Sequence, residues 1–445
     1  MGIKVLLLFL CISLFLVSFH YYSKRRMIFS PASIFNIVWL ILISFYLIFD
    51  DGKYSYAGIW WLLIGILFVN IGQYATTVGF TNKKTTHAKR IPYAHESNLK
   101  CLVLYISLFL IFLTGVGYVR SGGIKNVADV AYDYYTNGNM KSSFFQSLVT
   151  QFQTFLLYIN GFVGGRLFKF TKKAHYKLIS FMVFIPPIIM MLTNSGKLGT
   201  IVVFITFLIG YLIESLDLSQ DFSFRRFARV LKRYWFLLLS VFVLFVFSLT
   251  LRMGGPSIQN FSIAFNKMKS YAFGSPAAFN YWFLNRDPLE RGYGVNTFMS
   301  IFNTIGLVER KQGVYQEMIP SEVWNTNVYT AFRGVIQDFG PFFGLIFLFA
   351  FGLFFGWGYK NYCNNRNKLS FWVLSNSYLF IVYSVIISPF IYLNLSMLFL
   401  LYLFFEFILS DYRLYKERKE TNNYERHYFS GGQRNPSLSI NNSNK

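Results

Sequence analysis

Acidic residues are scarce in this sequence. It has 19 Asp and Glu against 42 Lys and Arg in 445 residues, and charged residues of both signs make up only 14%. A soluble domain of this size carries about a quarter, so a water-soluble globular chain is set aside in favour of a membrane protein. Cysteine is also rare. Cys11, Cys101 and Cys363 are the only three, and none falls in a segment expected outside the cell, so no structural disulfide is expected. The phosphate loop GxxxxGK[ST] is missing, as are HExxH, paired CxxC and GxSxG, which argues against a nucleotide-driven pump and a zinc hydrolase. No nucleic-acid motif accompanies the net charge of +23. Its Lys and Arg sit mostly in short loops between apolar runs, where they orient helices in a bilayer.

What the chain has in abundance is apolar length. Runs fit to span occur near 4–21, 31–49, 57–79, 98–118, 145–166, 177–193, 198–214, 234–251, 339–358, 371–388 and 391–409. Each approaches the ~20 residues a tilted helix needs to cross hydrocarbon. The expected fold is therefore all-α and polytopic, with about eleven membrane spans. The first run has only Lys4 ahead of it, Lys24-Arg25-Arg26 behind it and no small-x-small cleavage site. It reads as a retained helix with its N-terminus outside. Basic clusters then fall at every expected inside loop: 24–26, 83–90, 166–177 (Arg166 and Lys169 among them), 225–233 and 360–368. The expected organisation is spans 1–8 over 1–251, a large outside loop at 252–338, spans 9–11 over 339–410, and a cytoplasmic, largely disordered tail at 411–445. No internal repeat is visible.

Candidate functional residues are few because charge is few. NTNVYTAFRGVIQDFGPFFG, 325–344, places a lone Arg333 and a lone Asp338 at the mouth of an apolar run. Aspartate gains nothing by snorkelling, so this pair reads as functional or as an ion pair. Arg120, Lys197 and Arg252 also stand at bilayer boundaries. A ring of cations there can face an anionic headgroup, because a guanidinium fork matches phosphate. The bland alternative is snorkelling to bulk lipid phosphate. Asp287, Glu290, Glu309, Glu317 and Glu322 of the long loop could each act as a general base or be a solvated surface charge. Trp282, Phe283, Tyr293, Tyr315 and Trp324 could stack on sugar faces or form an interfacial belt. Asp50-Asp51 is adjacent rather than spaced as Asp-x-Asp, and marks a loop.

Five stretches resemble the Wzy-type oligosaccharide repeat-unit polymerases of O-antigen and capsule synthesis: SPASIFNIVWLILISFYLI (30–48), YVRSGG (118–123), TNSGKLGTIVVFI (193–205), GYGVNTFMSIFNTIGL (292–307) and TNVYTAFRGVIQDFGPFFG (326–344). The resemblance implies a GT-C-like enzyme of the bacterial plasma membrane, working on its outer face without metal, nucleotide or other cofactor. It implies transfer of a growing glycan from one undecaprenyl pyrophosphate carrier to the repeat on another. Carried over, the pyrophosphate-gripping residues are Arg120, Arg252, Arg291 and Arg333, with Lys197 where many relatives have arginine. Arg333, Asp338, Glu322 and Glu290 are the candidate catalytic groups, and Trp282, Tyr293 and Trp324 the candidate sugar-stacking rings. Membrane lipid, a chain-length regulator and a flippase are the implied partners, and nucleic acid is not among them. Two other functions compete. An O-antigen ligase would carry a histidine in its large outside loop, and 252–337 has none. A lipid-linked oligosaccharide flippase would show internal repeats and short outside loops.

Overall fold

The computed structural model describes residues 2–79, 96–120, 144–194, 197–216, nine positions between 235 and 255, 257–309, 315, 317–320, 323–324, 326–365 and 367–404. At 96–97, 117–120, 144–148, 192–194 and 197–198 it describes the backbone alone. These residues are all-helical, with no strand among them. The chain divides into two units, Met1–Phe399 and Leu400–Lys445; of the second, 400–404 are described and are helical.

The first unit begins with α1 (Gly2–Lys24), α2 (Pro31–Phe49), α3 (Ala57–Thr77) and α4 (Glu96–Arg120). Then come α5 (Phe144–Phe170), α6 (Ala174–Phe181), α7 (Ile185–Asn194) and α8 (Lys197–Ser215). Beyond them lie α9 (Ile258–Phe273), α10 (Ser275–Asn285), α11 (Met299–Thr304), α12 (Thr330–Asn365) and α13 (Lys368–Tyr383). Helix is the only open-ended way to satisfy backbone N–H and C=O groups in lipid, which is why the described parts of the apolar runs become helices.

Six helices among the described residues are long and apolar enough to cross a membrane: α1, α2, α3, Asn98–Val116, Ala174–Met191 and α12. The sequence suggests eleven, and the reasons for the difference are local. Run 145–166 forms α5, but Gln146, Gln151, Gln153, Asn160 and Arg166 interrupt its apolar character. Gly199–Ser215, Leu393–Phe404 and α13 are shorter than a full span. Most of 234–251 and the tail lie outside the described residues. The segment expected to be a loop, 252–338, contains α9, α10, α11 and the start of α12, so the boundary drawn at 338 falls inside a helix. Arg166, expected in an inside loop, is instead buried within α5, its Nε 3.3 Å from Glu214 Oε2 in α8.

Two helix pairs hold this arrangement together by close approach. In α3 and α12 a Cβ on Gly72 would lie 2.8 Å from Leu353 N, and one on Gly352 would run into the Val69 backbone. In α5 and α8 a Cβ on Gly165 would meet the Phe207 backbone and one on Gly210 that of Phe162. Both pairs use glycines four apart, Gly352 with Gly356 and Gly161 with Gly165, as membrane helices do to bring backbones into contact. Polar side chains add directional contacts. Asn36 and Asn70 exchange amide hydrogen bonds of 2.9 and 2.7 Å, and Tyr22 donates to Asn70 at 2.8 Å. Gln73 of α3 accepts from Ala32 N at 2.8 Å and donates to Ser30 Oγ at 2.9 Å, so it caps the start of α2. Such bonds are retained because an unsatisfied polar group in hydrocarbon is costly.

Candidate functional site

Helix α12 is two helices joined at a kink. Gly340 has φ +76 and ψ 167 and precedes Pro341, a left-handed residue followed by one that cannot donate. The first piece, 330–339, is almost wholly buried, although it carries Arg333, Gln337 and Asp338. Its apolar side fills an aromatic core: the Phe332 ring lies 4.7 Å from Trp39, 5.9 Å from Trp61 and 6.1 Å from Phe35. Ala331 N donates to Ser384 O at 2.7 Å, fixing the start against the end of α13. Thr330 sits at φ +54, a strained conformation for a β-branched residue that persists only where its surroundings impose it.

The far end of this piece is wrapped by 292–297, GYGVNT. Gly292 N donates to Gln337 O at 2.9 Å and Tyr293 N to Asp338 O at 3.3 Å, which satisfies carbonyls left open where the helix breaks. The Asp338 carboxylate takes three donors: Asn296 N and Nδ2, each 3.0 Å from Oδ1, and Thr297 N, 2.7 Å from Oδ2. Thus the stretches 292–297 and 330–339 are packed on each other, with Asp338 as the clasp between them. Asp338 is 1% exposed and does not pair with Arg333. Of the two readings given to the pair, functional groups or an ion pair, the ion pair is not formed, because Arg333 and Asp338, five apart, leave the helix in different directions.

Arg333 turns the other way, where Gln337 lies one helical turn along on the same face. Its guanidinium carbon sits 3.9 Å from the centre of the Tyr315 ring, 4.3 Å from Tyr329 and 5.3 Å from Trp282. Three aromatic faces around one cation replace part of its lost hydration. Its carboxylate partner is Glu317, at 3.3 Å. The strap bearing Tyr315 and Glu317 is fastened to the chain leading into α12: Asn327 donates to Tyr315 O at 3.1 Å, Tyr329 Oη to Glu317 O at 2.9 Å, and Ile319 N to Thr326 O at 3.3 Å. Tyr315 Oη in turn donates to Gln337 Oε1 at 3.1 Å, and Gln337 Nε2 lies 3.2 Å from both oxygens of Glu290. Burial is the largest influence on the Tyr315 hydroxyl and raises its pKa well above the usual tyrosine range, partly opposed by Arg333. It stays a neutral donor.

These groups line a cavity of about 290 Å³. Arg333, Gln337, Glu290 and Glu317 meet Arg286, Asp287, Asn285 and the rings of Tyr281, Trp282 and Tyr329 there. Arg286 lies over the Phe283 ring at 3.7 Å. Burial first, and the neighbouring Arg291 second, lower its pKa, and a nearby anion would offset the repulsion from Arg291. The cavity therefore offers two guanidinium groups that can fork onto an anion, three carboxylates that can accept from hydroxyls, and flat apolar walls that can lie against a sugar ring.

Arg333, Glu290 and Trp282 are brought together on one wall. Arg291 is exposed, donates to Pro288 O and Glu290 O at 2.9 and 2.6 Å, and lies over Gly340 rather than lining the cavity. Tyr293 is 80% exposed at φ +50, away from the cavity lining. Trp324 is 1% exposed, packed 6.2 Å from Tyr46 with Lys269 5.6 Å above its ring, and offers no face to a sugar. Arg252 and Glu322 lie outside the described residues, and of Arg120 and Lys197 only the backbone is described, at the end of α4 and the start of α8. Sequence reasoning did not single out Gln337 or Tyr329, and it had Arg286 only as one of a list of outside cations. The four-residue spacing from Arg333 to Gln337 was a usable signal; the fold alone brings up Tyr329 and sets Arg286 apart from the other cations. No protein-family model, curated protein or solved structure matches the chain.

Proposed function

We propose that this protein is a polymerase of the Wzy type, with a GT-C-like architecture of about eleven spans. It joins undecaprenyl-pyrophosphate-linked oligosaccharide repeats into O-antigen or capsular polysaccharide on the outer face of the bacterial plasma membrane. The observation that carries this reading is Arg333, a guanidinium 6% exposed, held among three aromatic rings, and opening on a polar cavity at the head of an apolar helix. In the reaction the bond from sugar C1 to the pyrophosphate oxygen breaks and a bond from C1 to the acceptor hydroxyl oxygen forms. Negative charge grows on the departing diphosphate, and Arg333 and Arg286 meet it where it develops. The acceptor hydroxyl loses its proton to a carboxylate of the cavity wall. Glu290, held by Gln337 at 3.2 Å, is the group best placed for this. Asp338, its oxygens filled by three donors, acts as a clasp. Carrier-linked donors need no nucleotide site, and the sequence carries no phosphate loop.

The test is a gel of surface polysaccharide from a strain lacking the gene. Collapse of the ladder to core plus one repeat is the expected outcome. Long polymer stranded on the carrier with no glycan-bearing core would make the protein a ligase. Single repeats trapped on the inner face would make it a flippase.

A further inference from the structure

The Arg333 site contains its own anion. Both terminal nitrogens of Arg333 reach a single oxygen of Glu317, Oε2, at 3.3 Å. A full arginine–carboxylate fork uses two oxygens at about 2.8 Å. The guanidinium is therefore only half engaged, and its buried Nε has no hydrogen-bond partner. The two members of the pair are held very differently. Arg333 is clamped between Tyr315 and Tyr329, with its side chain 7% exposed. The main chain of Glu317 is fastened by Tyr329, yet its side chain is 71% exposed at the cavity wall.

We infer that Glu317 is a charge-selectivity residue, an intramolecular competitor that keeps singly charged anions off Arg333 and yields to a group with more than one negative charge, such as a diphosphate. The inference rests on the reading of Arg333 as a diphosphate contact. Exchanging the Glu317 carboxylate for a phosphodiester replaces one half-exposed ion pair by another, with little net gain against the freedom the ligand loses. A diphosphate brings a further charge and enough oxygens to fill both arms of the fork. This discrimination has a use at a membrane boundary. Bulk phospholipid headgroups are mostly singly charged diesters, and a bare arginine at that depth would extend to them. Glu317 also offsets the cost of leaving a buried guanidinium unpaired between turnovers.

The test is calorimetric titration of the full-length, detergent-solubilised protein with inorganic pyrophosphate and with dimethyl phosphate. The wild type is expected to favour pyrophosphate by about tenfold or more. Glu317→Gln is expected to tighten dimethyl phosphate about fivefold, the scale of one such ion pair, and pyrophosphate less, so that the preference narrows. An unchanged preference in the variant, with wild type still binding pyrophosphate, overturns the role of Glu317 and leaves the diphosphate reading standing. Failure of both proteins to bind pyrophosphate overturns both. Should Glu317→Gln not fold, Glu317→Asp keeps the charge with a shorter reach; its preference is expected to fall below that of the wild type, and one equal to it overturns the inference.

Discussion

Among the described residues two arginines are buried beside glutamates at the same distance, and their surroundings are opposite. Arg166 Nε and Glu214 Oε2 lie 3.3 Å apart with side chains 2% and 6% exposed. Arg333 Nη2 and Glu317 Oε2 also lie 3.3 Å apart, but with side chains 7% and 71% exposed. The first pair is sealed between α5 and α8, where Gly165 and Gly210 bring the backbones together. Both charges are shielded from water there, so Glu214 depends on Arg166. The second pair has one fixed and one solvated member, with a cavity beside it. The difference teaches that separation alone does not assign a role to an ion pair. A pair closed on both sides can only hold helices in register, whereas one open on a single side can exchange its mobile anion for another.

That contrast can be broken experimentally. The largest effect is expected from Arg166→Ala, which leaves Glu214 buried and unpaired. It should cost about 3–5 kcal/mol of stability, read as loss of membrane-inserted protein, and the double variant Arg166→Met with Glu214→Met should recover most of it. Arg333→Lys should leave protein yield unchanged while lowering polymerisation about a hundredfold, because an ammonium lacks the fork geometry. A normal chain-length distribution in that variant would sink the role given to Arg333. Asp338→Ala strands three donors of the 292–297 wrap. It should cost about 2–3 kcal/mol, seen as a lower unfolding midpoint, with activity falling in step. A variant as stable as wild type but inactive would instead make Asp338 part of the chemistry. Gln337→Leu removes the link between Tyr315 and Glu290, worth about 1 kcal/mol per lost bond. A drop in rate of about tenfold with little change in stability is expected, and no change in rate would remove the positioning of Glu290 by Gln337 from the mechanism.

Much of the candidate site was legible before the fold. Arg333 stood out because a charge at the mouth of an apolar run is costly and rare, and its place on the cavity wall agrees with that reasoning. Glu290 and Trp282 were drawn from lists of loop carboxylates and aromatics, and they do reach the same wall. Trp324 came from the same list and is buried in the core, because composition says that a ring is present and not which of its faces is free. Asp338 was noticed because it is a lone carboxylate beside an apolar run, and a pair with Arg333 was one of the two readings it allowed. A lone buried carboxylate must be satisfied, but its donors are Asn296 and Thr297, some forty residues away, and no periodicity records that distance.

The sequence by itself determined that this chain is helical, where its helices long and apolar enough to cross a membrane run, and which few charges stand at their ends. These follow from local hydropathy and from the need of every backbone group for a partner within its own helix. Only the tertiary structure decided that Arg166 is sealed inside the bundle, that α12 breaks at Gly340 to hold its first ten residues as a buried polar piece, and that Arg333 faces Glu317. Each of these depends on contacts between segments far apart in the chain. Those contacts are set by how closely glycine-lined backbones can approach and by which donors remain unsatisfied when they do.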